Sequence, residues 1–177
     1  NNVSGAFYGS LLYAVNASAT TTVSGGSITG VMQGVAAINV DPQTGTVYLP
    51  SNLGVSGVTM SGFTGNYSSI PALAPYDFHA GVYVFTGGSS SSAAISMAVD
   101  EVSISGTGKH NPGSAAISFS DFSTGAGVRQ SVSVSNSSLF DNLNRAIVAR
   151  GLNVQAAIST STITNNGFDP YGAGGNH

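Results

Sequence analysis

The chain has 177 residues, of which only 6% are Asp, Glu, Lys or Arg, against about 25% in typical soluble domains. No apolar run reaches the roughly 18 residues of a membrane-spanning helix. A 41% apolar content with a net charge of -3 is also unlike the low hydrophobicity and high charge of disordered chains. Four basic residues, Lys109, Arg129, Arg145 and Arg150, are too few for a nucleic-acid footprint. Without cysteine there is neither a disulfide framework nor a thiolate metal site. The surface is therefore built of hydroxyls and amides, and so little charge favours association. A single domain over residues 1–177 is expected. It starts at Asn1 rather than Met and ends on the loop-like GAGGNH, which reads as a processed protein or a segment of a longer chain.

In chain order, residues 1–22 mix aromatics with small residues and read as a first coil or cap. Val23 and Ile28 then open a pattern that recurs: an aliphatic residue, and a large apolar one five positions later. Asp41-Pro42-Gln43-Thr44-Gly45 is a turn signal before the strand TVYL. Val58, Phe63 and Asn66 repeat the pattern and add Asn or Gly three positions on. The segment NYSSIPALAPYDF, with Pro71 and Pro75, reads as a long excursion, followed by the strand GVYVF (81–85) and the loop GGSSSS (87–92). Val99 with Ile104 gives the first half again, before the loop GTGKHNPGS (106–114). The triplets Ile117–Phe122–Gly125, Val134–Leu139–Asn142 and Ile158–Ile163–Asn166 complete the series, and FDPYGAGGNH (168–177) is a last loop. Within the copies the period is two, that of strands. No helix is predicted; LFDNLNRAIVARGL scores better as turn plus strand.

Strands recurring every 17 to 24 residues or so suit either an antiparallel β-sandwich or jelly roll or a parallel solenoid whose coils stack on one another. Like residues recur at like register, as stacking requires. The Asn or Gly falls where a coil must turn, and left-handed backbone is cheap for those residues. Asn166-Gly167 is the one hairpin-type Asn-Gly dipeptide. The expected fold is all-β, a parallel β-helix of roughly 6–8 coils, with the antiparallel sandwich or jelly roll as the alternative. Inward Val134, Leu139, Ile158 and Ile163 would stack on their copies about 4.8 Å away. Neutral Ser, Thr and Asn would tolerate that spacing where like charges would repel.

The segment from Ser131 to Gly172, including LFDNLNRAIVARGLNVQAAISTSTITNNG, resembles right-handed parallel β-helix proteins of the pectate-lyase-like superfamily. The resemblance implies strands joined by tight turns whose asparagines stack in a ladder. By position it implies that Asn66, Asn142 and Asn166 are such corner residues. Members of that superfamily include lyases, hydrolases, epimerases, tailspikes and surface passengers, so the fold alone does not choose a function.

The densest polar cluster, Asp100-Glu101 with Lys109-His110, contains a carboxylate and a histidine that could share general acid–base work. The plainer reading puts these charges on a strand end and a loop, where ordinary charges reside. Asp141 with Arg145, or with Arg150, more readily fastens a turn than performs catalysis. His79 stands alone. Stacking Asp100 on Ser118 and Ser135, Asp121 on Ser138 and Thr162, and Asp141 on Thr124 and Asn165 puts no acid over another, whereas glycoside hydrolysis needs two carboxyls about 5 to 10 Å apart.

Calcium-binding repeats do not occur, and no metal or cofactor is expected. Four Asn-x-Ser sequons, at Asn2, Asn16, Asn66 and Asn136, are close to what chance supplies. The leading expectation is a secreted or cell-surface structural or adhesive protein, a passenger, surface-layer or filament segment. Its open ends would self-associate or continue into further coils. The alternative is a polysaccharide-binding or polysaccharide-cleaving β-helix of lyase, epimerase or tailspike type, with Tyr67, Tyr76, Tyr83 and Tyr171 as platforms for sugar rings.

Overall fold

A computed structural model describes residues 2–4, 7–15, 19–41, 51–64, 79–88, 94–108, 114–123, 129–151 and 153–167. These residues form strands and the corners between them. In chain order the strands are β1 (Asn2–Ser4), β2 (Tyr8–Val15), β3 (Thr20–Ser24), β4 (Ser27–Thr29), β5 (Gln33–Asp41), β6 (Ser51–Ser56), β7 (Thr59–Ser61) and β8 (Ala80–Gly88). There follow β9 (Ile95–Asp100), β10 (Ser103–Ser105), β11 (Ala115–Ser123), β12 (Gln130–Ser135), β13 (Ser138–Phe140), β14 (Ile147–Arg150), β15 (Val154–Ser159) and β16 (Thr162–Thr164).

Every third strand belongs to the same sheet. Sheet I has the order β1-β4-β7-β10-β13-β16, sheet II β14-β11-β8-β5-β2, and sheet III β15-β12-β9-β6-β3. The chain thus passes through sheets II, III and I in rotation, and each round lies beside the last. Every ladder between described strands is parallel, which removes the antiparallel alternative for these residues.

Alternation explains sheet III. In ISMAVD every second residue is a large apolar one, in QSVSVS Val132 and Val134 follow the buried Gln130, and the burial alternates with them. Val23, Val55, Val99, Val134 and Ile158 form one inward column. Five residues on, across a corner, Ile28, Met60, Ile104, Leu139 and Ile163 form another. These columns and the inner face of sheet II, including Val35, Val82, Ile117 and Phe119, merge into one core. Each fully buried aliphatic there contributes about 1.5–3 kcal/mol. Opposite the second column, the second residue of β2, β5 and β8 is glycine (Gly9, Gly34 and Gly81), with Ala116 in its place in β11. A Cβ on Gly34 would lie 2.6 Å from Met60 Sδ, and one on Gly81 would lie 2.4 Å from Ile104 Cγ2. The small residue makes room for the large one.

Two corners in each round need a residue in the left-handed region. Between sheets III and I these are Gly25 (φ 64), Gly57 (φ 61), Glu101 (φ 52), Asn136 (φ 48) and Thr160 (φ 45). After sheet I they are Gly30, Gly62, Gly106, Asp141 and Asn165, with φ between 52 and 72. Each sits two residues beyond an inward apolar column, so one backbone shape is repeated round after round.

The structure corrects several expectations. Val55 and Met60, not Val58 and Phe63, occupy the two inward columns; Val58 and Phe63 lie three residues further on, buried at the corners. Ile117 and Phe122 lie on β11 in sheet II, outside those columns. The left-handed corner residues are Asp141 and Asn165, one position before Asn142 and Asn166. Successive sheet I strands begin 25, 32, 44, 35 and 24 residues apart, a longer and less even repeat than the sequence spacing suggests. Sheet II escaped that reading because its long strands are apolar on both faces, as in QGVAAINVD and AGVYVFTGG. The TVYL strand lies outside the described residues, as do most of the four loops.

Candidate functional site

Asp100 ends β9 and Glu101 turns the following corner. Asp100 pairs in register with Ser56 and Ser135, not with Ser118. Ser135 Oγ donates to Asp100 Oδ1 at 2.8 Å and Asn136 Nδ2 donates to the same oxygen at 2.9 Å. The Ser135 bond first, then that of Asn136, hold the Asp100 carboxyl below its ordinary value of 3.8; partial desolvation opposes them and the Glu101 backbone amide adds to them. Asp100 is thus an ionised acceptor tying one round to the next. Glu101 is exposed, with a left-handed backbone whose amide donates to the Ser135 carbonyl at 3.2 Å. Lys109, His110 and Asn66 lie outside the described residues, so of the densest polar cluster only the two acids are placed.

Asp141 sits at the other end of the short sheet I strands, also exposed and left-handed. Its amide donates to the Thr164 carbonyl at 3.3 Å, and the Arg145 carbonyl accepts from the Ala116 amide at 3.0 Å. The three-residue strands of sheet I therefore stand between Asp141 and the Asp100-Glu101 corner. Asn142, the next residue, is fully buried. Its Nδ2 donates to Asn166 Oδ1 at 2.8 Å and to the Ile104 and Phe140 carbonyls, while its Oδ1 accepts from the Thr107 amide and hydroxyl. Asn166 Nδ2 in turn donates to the Leu139 and Thr164 carbonyls. Thr107, Asn142 and Asn166 stand at equivalent positions in successive rounds, where earlier rounds carry Val31 and Phe63. The arrangement satisfies corner backbone groups that would otherwise be buried unpaired.

A second polar cluster lies inside the junction of sheets II and III and has no clear sequence signal. Asp121 pairs with Thr86 in sheet II, not with Ser138 or Thr162, and only 5% of it is exposed. Thr86 Oγ1 donates to Asp121 Oδ1 at 2.8 Å and Asn153 Nδ2 donates to Oδ2 at 2.9 Å. Gln130 Nε2 donates to Thr86 Oγ1 and to the Ser120 carbonyl, both at 2.9 Å. The carboxylate spans rounds from β8 to the start of β15, which is the chemistry of a fastener. In SFSDFS it reads as an ordinary surface acid; only the inward parity of Ile117, Phe119 and Asp121 distinguishes it.

His79 is 6% exposed. Its Nδ1 accepts from the Gly108 amide at 3.3 Å and its ring lies against Phe63. Tyr83 is also 6% exposed, packed 6.3 Å from Phe85, so it offers no open platform. The aromatics open to solvent among the described residues include Tyr13 and Phe122, at 59% and 63% exposure. Tyr67, Tyr76 and Tyr171 lie outside the described residues. Among the described residues, no group of three or more His, Asp or Glu is placed to hold a metal ion.

The outer faces of sheets I and III are periodic and almost uncharged. Asn2, Ser27, Thr59, Ser103, Ser138 and Thr162 form one column across all six strands of sheet I. A second contains Ser4, Thr29, Ser61, Ser105, Phe140 and Thr164. Sheet III adds Thr20, Asn52, Ser96, Ser131 and Gln155 in register. Neighbouring members are about 4.8 Å apart. In the first column the described hydroxyls are joined side chain to side chain only where Ser27 Oγ donates to Asn2 Oδ1 at 2.9 Å, so the remaining hydroxyls face outward with hydrogen-bonding capacity to spare. No protein-family model, curated protein or solved structure matches the chain.

Proposed function

We propose that the three sheets close into one right-handed parallel β-helix of the pectate-lyase-like kind, and that the chain is a structural or adhesive module of a secreted or cell-surface protein. The observation that carries this reading is the register of uncharged hydroxyl and amide columns over six strands of sheet I and five of sheet III. Such a face repeats one weak contact many times along one direction, which suits multivalent adhesion. The acids Asp100, Asp121 and Asp141 sit at corners and junctions with backbone or fastening roles, which favours a scaffold over a catalyst. The test is fractionation of the native host with an antibody to this chain, combined with a surface-adhesion assay. External location is expected, with adhesion reduced several-fold when Ser103 and Ser138 are both replaced by Lys. An internal location, or unchanged adhesion, contradicts it.

A second reading, polysaccharide binding or cleavage, is favoured by the exposed rings of Tyr13 and Phe122 on the outer side of sheet II, because sugar rings stack on aromatic faces. Affinity electrophoresis on neutral and uronate polymers, with Tyr13→Ala and Phe122→Ala, tests binding. Ultraviolet absorbance of an unsaturated product tests lyase cleavage. Retardation lost in both variants would raise this reading above the first.

A further inference from the structure

We propose that the outer face of sheet I binds ice, with the hydroxyls of its two columns taking the places of oxygens in the crystal lattice. The inference shares this face with the adhesive reading but needs neither a host surface nor closure of the three sheets. Every outer position from β1 to β16 is uncharged, and all but Asn2 and Phe140 carry a hydroxyl. All of them are at least partly open to solvent. The residue between the two outer positions points into the core, and from Ile28 to Leu139 it is buried. Each pair of hydroxyls is therefore carried on an anchored backbone.

The spacings are those of frozen water. In ice each oxygen makes four tetrahedral hydrogen bonds of about 2.75 Å, so oxygens repeat at about 4.5 Å within a layer and about 7.3 Å along the hexagonal axis. Neighbouring strands of sheet I are about 4.8 Å apart, and the two outer positions of one strand are about 6.6–6.8 Å apart. The lateral mismatch of about 0.3 Å per strand accumulates to less than half a spacing across the sheet. A sheet stays in step with a plane crystal only if its twist is small, and side-chain ladders are one means of flattening it. Ile28, Met60, Ile104, Leu139 and Ile163 form such a ladder. In addition, β4, β7, β10, β13 and β16 each lie between two left-handed corners, so one backbone shape sets down every strand. Each hydroxyl offers one donor and two acceptors, and the crystal engages many such weak anchors at once. Thr29, Thr59, Thr162 and Thr164 add a stiff χ1 that fixes the hydroxyl. Ionised groups, which are costly to strip of liquid water, stay at the corners, on Glu101 and Asp141. Sheet III lacks the match: one outer column runs Thr22, Gly54, Ala98, Ser133 and Ala157, and the next contains Asp100.

The test is nanolitre osmometry of the full chain, with partition into slowly growing ice. Wild type is expected to hold the freezing point below the melting point by a gap that widens with concentration, and to be taken up by the ice. Thr59→Lys with Ser138→Lys is expected to abolish both effects with an unchanged β circular-dichroism spectrum. Asn52→Lys with Ser131→Lys, the same charge change on sheet III, is expected to keep both. Phe140→Thr, which completes the second column, is expected to widen the gap several-fold. Wild type that shows no gap and is excluded from ice overturns the proposal, as does equal loss in the two lysine variants or a Phe140→Thr variant less active than wild type. The surface-adhesion assay on the same proteins separates the two readings. Adhesion that falls in the sheet I variant without any ice uptake by wild type sinks only ice as the ligand, whereas ice uptake with unchanged adhesion sinks only the adhesive reading.

Discussion

The early and late rounds have the same corner geometry and solve it with different chemistry. At the corner before sheet I, the first two rounds place Gly25 and Gly57 in the left-handed region, and the later rounds place Glu101, Asn136 and Thr160 there. At the corner after sheet I, Gly30, Gly62 and Gly106 give way to Asp141 and Asn165. The positions next to these corners change as well, but not in the same round: apolar Val102 follows Glu101, and polar Thr107 follows Gly106. Val58 and Val102 precede Ser137 and Ser161, and Val31 and Phe63 precede Thr107, Asn142 and Asn166. The corners at Gly30, Gly57 and Gly62 are cheap in backbone strain and filled with hydrocarbon, by Val31, Val58 and Phe63. Late corners hold a less favoured backbone, about 1–2 kcal/mol per non-glycine residue, and offset it with hydrogen bonds. Ser137 Oγ accepts from the Val102 amide, and Ser161 Oγ accepts from the Ser137 amide, both at 3.2 Å.

The comparison can be broken most sharply in the core. Leu139→Ala should cost about 2–5 kcal/mol, the range for truncating a buried leucine. Ile163→Ala in the same column should cost less than half as much, because that side chain is already 45% exposed. Urea denaturation of the two variants measures the difference, and equal losses would mean that the column does not end there. Asn142→Ala should cost about 2–4 kcal/mol, because it strands the Thr107 amide and a buried carbonyl. Phe63→Asn, at an early apolar corner, should not recover the bonds that Asn142 makes.

Smaller effects follow at the left-handed positions. Thr160→Gly should stabilise by about 1 kcal/mol, and Gly25→Ala should destabilise by a similar amount, since a Cβ on Gly25 meets nothing within 4 Å and only the backbone preference is at stake. Thermal melts of the pair should move in opposite directions. The smallest expected effect is at Asp100. Its folded pKa lies below 3.8, so the folded state binds fewer protons than the unfolded state as pH falls. The stabilisation is present above the ordinary carboxylate range and is lost as pH drops through the folded value. Asp100→Asn should flatten the acid limb of a stability–pH curve while leaving neutral stability lower.

Much of sheets I and III is readable in the sequence because their strands alternate. Val23 with Ile28, Val99 with Ile104, Val134 with Leu139 and Ile158 with Ile163 all fall in the two core columns. The pattern slips at Val58 and Phe63 for a physical reason. Early corners are apolar, so VSGVTMSGF holds Val55 with Met60 and Val58 with Phe63 at the same spacing, and spacing alone cannot choose between them. In sheet II the strand GVYVF was legible and lies in β8, but the register of the sheet was not, because an apolar strand buried on both faces has no period to detect. Asp121 was misplaced with it. The stacked amides of Asn142 and Asn166 were visible as a repeat, but the role of Thr107 in the same column was not, since a threonine among glycines looks like any loop residue.

The central claim is that equivalent residues of successive rounds lie side by side in register, and a cysteine pair tests it directly because the chain has no cysteine of its own. Ser103 and Ser138 are register partners on the outer face of sheet I, at a separation of about 4.8 Å that falls within the Cα range of a disulfide. The Ser103→Cys, Ser138→Cys variant should oxidise readily to an intramolecular disulfide, whereas Ser103→Cys with Phe140→Cys, two residues out of register, should oxidise far more slowly. Equal rates, or a faster reaction in the second pair, would contradict the account.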